Sequence, residues 1–438
     1  MLRLTPHPAT RAQRRLKRKR RRQRISRFLL LLFLLIGLGA ASVPPETALS
    51  TQLAEITAPY QFDFVAWETG TLSDELGRRW AAPALPNDPV ERRALVETFL
   101  RLEQQSRDLG QELDDLYAGQ SNPSDSAESL QGRLSRLKAE QAGLTPQVET
   151  ILIQQVETIL REEGFTLAGR VFTPPAFRFI DPPTALIISP RNHIENQQMV
   201  TLAPGLDNSR RFQIEASLDQ RGDISSYVTN IGGLGSYPTM VVTFPSLPWL
   251  VEVVAHEWTH NYFFTFPSNM AWGYDRDPAI RTINETTAEL VGQEVGRKVI
   301  SRFYPDLVDQ LPPLDATGQP TPAEPSEFDL AMRRIRLHVD VLLGQGQIEA
   351  AETYMERERL QLVEQGYGLR KLNQAYFAFH GAYALSPAST DPTGTYLRAL
   401  RGHSPSLKAF VDRVGHLNNE ADLLRWLHAA GLEPEPGR

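Results

Sequence analysis

Two histidines stand four apart in Val253-Val254-Ala255-His256-Glu257-Trp258-Thr259-His260, with a glutamate directly after the first. Residues four apart share a helix face, so on a helix His256 and His260 aim their imidazoles at one point. Glu257 then sits one residue round, beside whatever is held there. Nitrogen ligands of borderline softness suit Zn²⁺, and a water on such a metal next to a carboxylate is equipped for hydrolysis.

A catalytic zinc needs a third protein ligand and an open position for water. A third histidine six residues after His260, behind a glycine, is excluded, because those positions are Phe266 and Phe263. Asp275 and Asp277 are near in sequence but lie among Gly273, Arg276 and Pro278, a loop composition. The remaining candidate is Asn284-Glu285-Thr286-Thr287-Ala288-Glu289. Glu285 and Glu289 face the same way on a helix, so one can bind metal while the other accepts a hydrogen bond from a ligand histidine.

The elements that must carry these residues follow from periodicity. Ser246 and Pro248 read as the cap and first turn of a helix through Trp249, Val253 and His260, and a second helix is predicted from about Pro278 to Phe303. Ahead of them, short β-rich runs at Thr184 to Ser189, Gln198 to Ala203, Arg211 to Ala216, Ser226 to Ile231 and Thr239 to Phe244 are predicted to be strands of one sheet. Leucines at three- and four-residue steps from Asp88 to Gly119 and again from Leu130 to Leu160, interrupted at Pro146, predict an antiparallel helical hairpin.

The combination resembles the gluzincins, the thermolysin-like and aminopeptidase-like zinc metallopeptidases, in which H-E-x-x-H is followed by a helix bearing N-E-x-x-[SA]-[DE]. The resemblance rests on about 35 residues. It implies His256, His260 and Glu285 as zinc ligands, Glu257 as general base and Glu289 as the acid supporting a ligand. It also implies an α+β fold: a zincin-like mixed sheet packed on the motif helix, then a helical lobe across a cleft. Two departures stand out. Where the family's aminopeptidases carry an acidic anchor on the edge strand, this chain has Gly232-Gly233-Leu234-Gly235 and no Asp or Glu between Asp223 and Glu252, which favours an endopeptidase. The expected oxyanion helper is not marked by a motif. Asn373, Tyr376, His380 and Tyr383 recur as one polar stripe on an apolar helix, and Tyr376, His380 and Tyr383 are its candidates.

Charge is unevenly distributed. Residues 1–27 hold 12 of the 46 Lys and Arg and no acid, leaving 34 bases against 52 acids in the rest. A body that acidic has no face for phosphate backbones, so nucleic acid is not an expected partner. The 16 apolar residues 28–43 follow the basic head directly, which predicts export with the head held in the cytoplasm. Either the segment is an uncleaved single-pass anchor in the cell membrane with the body outside the cytoplasm, or cleavage near Gly39 to Ser42 releases a secreted or periplasmic body. The absence of cysteine removes thiolate metal sites.

The predicted organisation is thus a basic head (1–27), a signal-anchor or signal-peptide segment (28–43), a mostly helical region with the hairpin (44–175), a zincin core (176–310), a solvated Pro- and acid-rich linker (311–327) and a helical C-terminal lobe (328–438). The expected activity is hydrolysis of a peptide or protein substrate by zinc-activated water. Its rivals are a membrane-tethered interaction protein with a degenerate zincin core and a zinc hydrolase of a non-peptide amide.

Overall fold

The structure, a computed structural model, describes residues 48–71, 83–117, 126–266, 268–322, 324–386 and 389–432. The chain divides into two units, Met1–Ala58 and Pro59–Arg438. The described part of the first is a single helix, α1 (Ala48–Thr57). The predicted head and apolar segment, residues 1–43, lie outside the described residues. Among those that are described, no helix is long and apolar enough to cross a membrane. The single membrane segment of the expected fold is therefore not supported by the described structure. The physical reason lies in the helices themselves: even the most apolar long one carries Glu252, His256, Glu257 and His260 along its 19 residues.

In the second unit α2 (Pro89–Tyr117) and α3 (Ala127–Glu162) form the hairpin. Arg92 reaches Gln154, and farther along Gln141 donates to Glu103, so the pairing is antiparallel. Pro146 does not interrupt α3, which runs through it. Val148, Ile151, Leu152 and Val156 are wholly or almost wholly buried on the next turns. Packing of that face compensates for the backbone hydrogen bond that proline removes.

The strands fall into separate small sheets. β1 (Thr166–Leu167) and β2 (Arg170–Val171) make a two-stranded ribbon. β3 (Phe177–Phe179), β4 (Thr184–Pro190) and β5 (Gln198–Leu202) are followed by α4 (Asn208–Asp219), β6 (Ile224–Asn230), β7 (Gly233–Leu234) and β8 (Thr239–Val241). Antiparallel pairing gives one sheet of order β5-β4-β6. The other, β3-β8-β7, is mixed, with β3 parallel and β7 antiparallel to β8, and β7 is one of its two edges. The expected strand Arg211 to Ala216 is instead the middle of α4. Asp207 caps it by accepting from Arg210 N, and Ile214 and Leu218, four apart, are buried together. Glu215, also buried, is held by Arg370 through two oxygens at 2.8 and 2.7 Å and accepts from Val228 N at 2.6 Å.

The motif helix α5 (Leu247–Thr265) begins at Ser246, whose side chain accepts from Trp249 N. After α6 (Asn269–Gly273) comes α7 (Pro278–Phe303), opened by Asp277 and Pro278. These two long helices pack unusually close. A Cβ on Gly292 would stand 2.7 Å from the Glu252 carbonyl oxygen, and one on Gly296 would stand 2.7 Å from Glu252 Cγ. Glu285, Glu289, Gly292 and Gly296 lie on one face of α7 at four-, three- and four-residue steps, so the glycines set the approach that brings the carboxylates to α5. Gly292→Ala is expected to destabilise the fold by about 1–3 kcal/mol, because backbone cannot yield as a side-chain tip does. Gly110→Ala, in open space on α2, should be neutral or stabilising. Urea unfolding of both variants checks the contrast.

α8 (Glu327–Gly344) and α9 (Ile348–Glu364) share a separate apolar cluster, and α10 (Gln374–His380) lies on β4 and β6 through Ala375 and Ala378. α11 (Thr393–Gly402), α12 (Leu407–Val414) and α13 (Glu420–Ala429) instead join the core built around α3, α5 and α7. The helices after residue 328 thus divide between two cores. The segment after Leu311 is anchored as well as solvated: Gln319 is buried and donates to Arg398 O at 2.9 Å, and Arg297 and Arg398 donate to the carbonyls of Pro312 and Pro320.

Candidate metal centre

α5 and α7 deliver three ligand-type side chains to one point. His256 Nε2 and His260 Nε2 are 3.2 Å apart, His256 Nε2 is 3.3 Å from Glu285 Oε2, and His260 Nε2 is 3.7 Å from Glu285 Oε1. One ligand atom from each of the three lies within 4.8 Å of the others. In a tetrahedral zinc site with metal–nitrogen bonds of ~2.0–2.1 Å, two nitrogens sit about 3.3 Å apart. The ring nitrogens fit that spacing. Two nitrogens and a carboxylate oxygen also match the donor set of a catalytic zinc.

The support for His260 comes from an unexpected residue. Its Nδ1 meets Asn284 Oδ1 at 2.8 Å, and Asn284 is oriented because its own amide donates to Met270 O at 2.9 Å. An oxygen there requires Nδ1 to carry the proton, so Nε2 keeps its lone pair toward the site. Glu289 bonds neither histidine. It accepts from Gln293 at 3.4 Å, and its other oxygen is buried without a partner. Its field nevertheless reaches His256, and burial pushes its carboxyl up to about 7.

The electrostatics favour a cation at this point. Burial opposes charge on His256, yet the Glu285 contact and the fields of Glu257, Glu285 and Glu289 raise it to about 9. Burial also opposes charge on Glu285, but His260, His256 and the Tyr274 hydroxyl outweigh it and hold its carboxyl down to about 2. His260 is lowered, by burial and by the positive field of His256.

Glu257 is buried beside the cluster, and burial raises its carboxyl to about 7. The edge strand β7 lies directly over it: a Cβ on Gly233 would stand 2.5 Å from Glu257 Oε1 and one on Gly235 2.9 Å from His260 Cβ. Gly233 in this strand and Gly235 just after it therefore admit the general-base candidate and a ligand histidine against the backbone.

The expected Asn373 to Tyr383 stripe is not one helical face, since α10 is only seven residues long. Asn373 is its cap, accepting from Tyr376 N and donating to Ser226 O. Tyr376 packs on Tyr227 and on the His380 ring, with centroids at 5.2 and 4.2 Å, and burial lowers His380 to about 4. Both line a cavity of about 450 Å³ between α8, α10 and the start of α7. Tyr383, beyond the helix end, parts from them. Its hydroxyl is pushed well above the ordinary tyrosine range by burial and by the carboxylates of Glu285, Glu257 and Glu289, whose fields reach it. Tyr274, which sequence reasoning passed over, is there too. It donates to Glu285 Oε1, and Arg281 covers its ring at 5.5 Å. No periodic signal marks it, because it sits in the irregular turn after α6. No family model, curated protein or solved structure matches the chain.

Proposed function

We propose that this chain is a zinc metallopeptidase of gluzincin type, hydrolysing peptide bonds with Glu257 as general base. One observation carries the reading: His256, His260 and Glu285 converge within 4.8 Å on two tightly packed helices, with a buried Glu257 alongside. His256, His260 and Glu285 would hold the ion, which when bound acidifies a water and polarises the scissile carbonyl. Glu257 takes the proton of that water onto its carboxylate and returns it to the departing amine. Burial raises its carboxyl above the usual carboxylate range, the direction that favours taking up the water's proton. Asn284 holds the His260 tautomer. Tyr274 and Tyr383 both stay protonated, since burial and neighbouring carboxylates raise them; the Tyr274 hydroxyl donates to Glu285 and braces that ligand, which leaves the Tyr383 hydroxyl as the donor for charge developing on the carbonyl oxygen.

The test is metal content of the purified full chain measured beside cleavage of an unbiased peptide library; a protein that takes up no zinc when zinc is supplied refutes the reading. The hydroxyl roles make a further prediction. At matched zinc content, Tyr383→Phe should lower kcat by about 10–10³-fold, and Tyr274→Phe should lower it through a loosened Glu285. His380→Ala, in its aromatic cluster, should change kcat little. Steady-state kinetics on a cleaved library peptide decide between the three.

A further inference from the structure

Tyr274, whose hydroxyl meets the Glu285 carboxylate, lies in the turn of residues 274–277 between α6 and α7. α6 is only five residues long, and the amides of Arg276 and Asp277 both donate to Gly273 O, so the turn closes on Gly273 and leaves the Tyr274 carbonyl to another donor. Arg281 supplies it. Its Nε donates to Tyr274 O at 3.0 Å, its Nη1 donates to Asn196 O at 2.9 Å, and its guanidinium carbon lies 5.5 Å from the centroid of the Tyr274 ring. Arg281 is buried, so these contacts are sheltered from water. One side chain thus grips both the backbone and the ring of Tyr274 and ties them to the segment between β4 and β5. The contacts close a ring on α7. Arg281 and Glu285 are four residues apart and share a face, and Tyr274 is held between them, its ring by the guanidinium and its hydroxyl by Glu285 Oε1. Glu285 Oε2 stands 3.3 Å from His256 Nε2, on the side of the ligand cluster. The Tyr274 ring also meets the His260 ring edge-on, with centroids at 6.1 Å.

We infer that Arg281 is a positioning residue of the metal centre, acting through Tyr274 to fix the orientation of the Glu285 carboxylate; the inference rests on the zinc reading of the cluster. A carboxylate offers two oxygens on a rotatable stem, and the partner of one oxygen selects which way the other points. Here that partner is the Tyr274 hydroxyl, carried by a short turn whose carbonyl and ring are both held by the guanidinium. The shape of the arginine matters. Its planar fork sends Nε and Nη1 to carbonyls of two different segments while its face lies on the ring, and the single ammonium of a lysine cannot make all three contacts. The rival role is a tie that supports the fold by joining α7 to the segment between β4 and β5. That role uses the Asn196 contact alone and owes nothing to the Tyr274 hydroxyl, so the two are separable.

Zinc affinity of the full chain is measured by competition with a chelator for wild type, Arg281→Met, Tyr274→Phe and the double variant, each checked for native fold by circular dichroism. Tyr274→Phe should weaken zinc by about 10–100-fold and Arg281→Met by about 10-fold, the range for groups that orient a metal ligand. The double variant should lose no more than ~2-fold beyond Tyr274→Phe alone, because both substitutions remove one brace. Visible absorption of the Co²⁺-loaded proteins supplies a signature that a loss of stability does not move: Arg281→Met and Tyr274→Phe should depart from wild type in the same way, since both release the same ligand. Wild-type zinc affinity in Arg281→Met overturns the inference and leaves the zinc reading standing. So does a loss that recurs in full in the Tyr274→Phe background, the result a purely structural tie would give. Should Arg281→Met fail to fold, Arg281→Lys, alone and with Tyr274→Phe, carries the same comparison. A wild-type chain that takes up no zinc overturns both the inference and the reading beneath it.

Discussion

Glu257→Gln should leave zinc binding and the fold intact while lowering kcat by about 10²–10⁴-fold. The substitution preserves the shape of a side chain that is buried against β7, so the close approach of Gly233 and the packing of α5 are undisturbed. What it removes is the capacity to take and return a proton, and general-base catalysis is worth that range. KM should change far less than kcat, since the interaction is made in the transition state. Metal analysis and kcat on the same preparation read both halves of the expectation. Full activity in a zinc-loaded Glu257→Gln protein would assign the base elsewhere, and zinc loss would make Glu257 a structural partner of the site.

Removal of a ligand should have the other large effect. His256→Ala or His260→Ala should abolish stoichiometric zinc and with it activity, whereas Glu285→Ala, replaceable in part by water, should weaken it. Asn284→Ala should cost about 10–100-fold in zinc affinity without touching a ligand, through the freed tautomer of His260. Zinc held at 100 times its dissociation constant stabilises the native chain by about 2.7 kcal/mol, so chelation should lower the melting temperature of wild type and not that of His256→Ala. The pH dependence has a definite sign. His256 is raised to about 9 in the metal-free protein, so below that value its proton competes with the ion. Apparent zinc affinity should therefore rise with pH through the neutral range, which titration with a competing chelator at several pH values would measure. An unchanged melting temperature on chelation, with zinc present beforehand, would show that the ion is not held by this cluster.

How far the site was legible depends on whether the controlling contact is local. His256, Glu257 and His260 are set by helical spacing, and helix propensity, the Ser246 cap and Pro248 all act within a few residues, so the motif helix and its ligand face could be read directly. The same holds for α7, whose Asp277 cap and Pro278 start mark its first turn. Whether Glu285 or Glu289 would turn to the histidines was open on spacing alone, because both lie on one face. The family resemblance chose Glu285. Only the crossing of α7 over α5 at Gly292 and Gly296 sets which turn of one helix meets which turn of the other. That contact also hands the support of His260 to Asn284 and leaves Glu289 in the wall of a neighbouring cavity.

Where two local signals competed, tertiary packing settled the result. The β-rich composition of Arg211 to Ala216 reads as a strand, but burial of Ile214, Glu215 and Leu218 on one side, with Arg370 from about 155 residues away neutralising Glu215, favours a helix. Pro146 reads as a break, yet the buried turns that follow it hold α3 together. The stripe through Tyr383 failed as a stripe because its periodicity continued past the true helix end at His380, and Tyr383 sits in the following turn, within the field of the carboxylates. Sequence by itself determined which side chains could do chemistry and which face of each helix they occupy, since those depend on residue type and a 3.6-residue period. Tertiary structure alone decided which of them meet, because convergence depends on where two backbones can approach, and here Gly292 and Gly296 on α7, Gly233 on the edge strand and Gly235 just after it permit it.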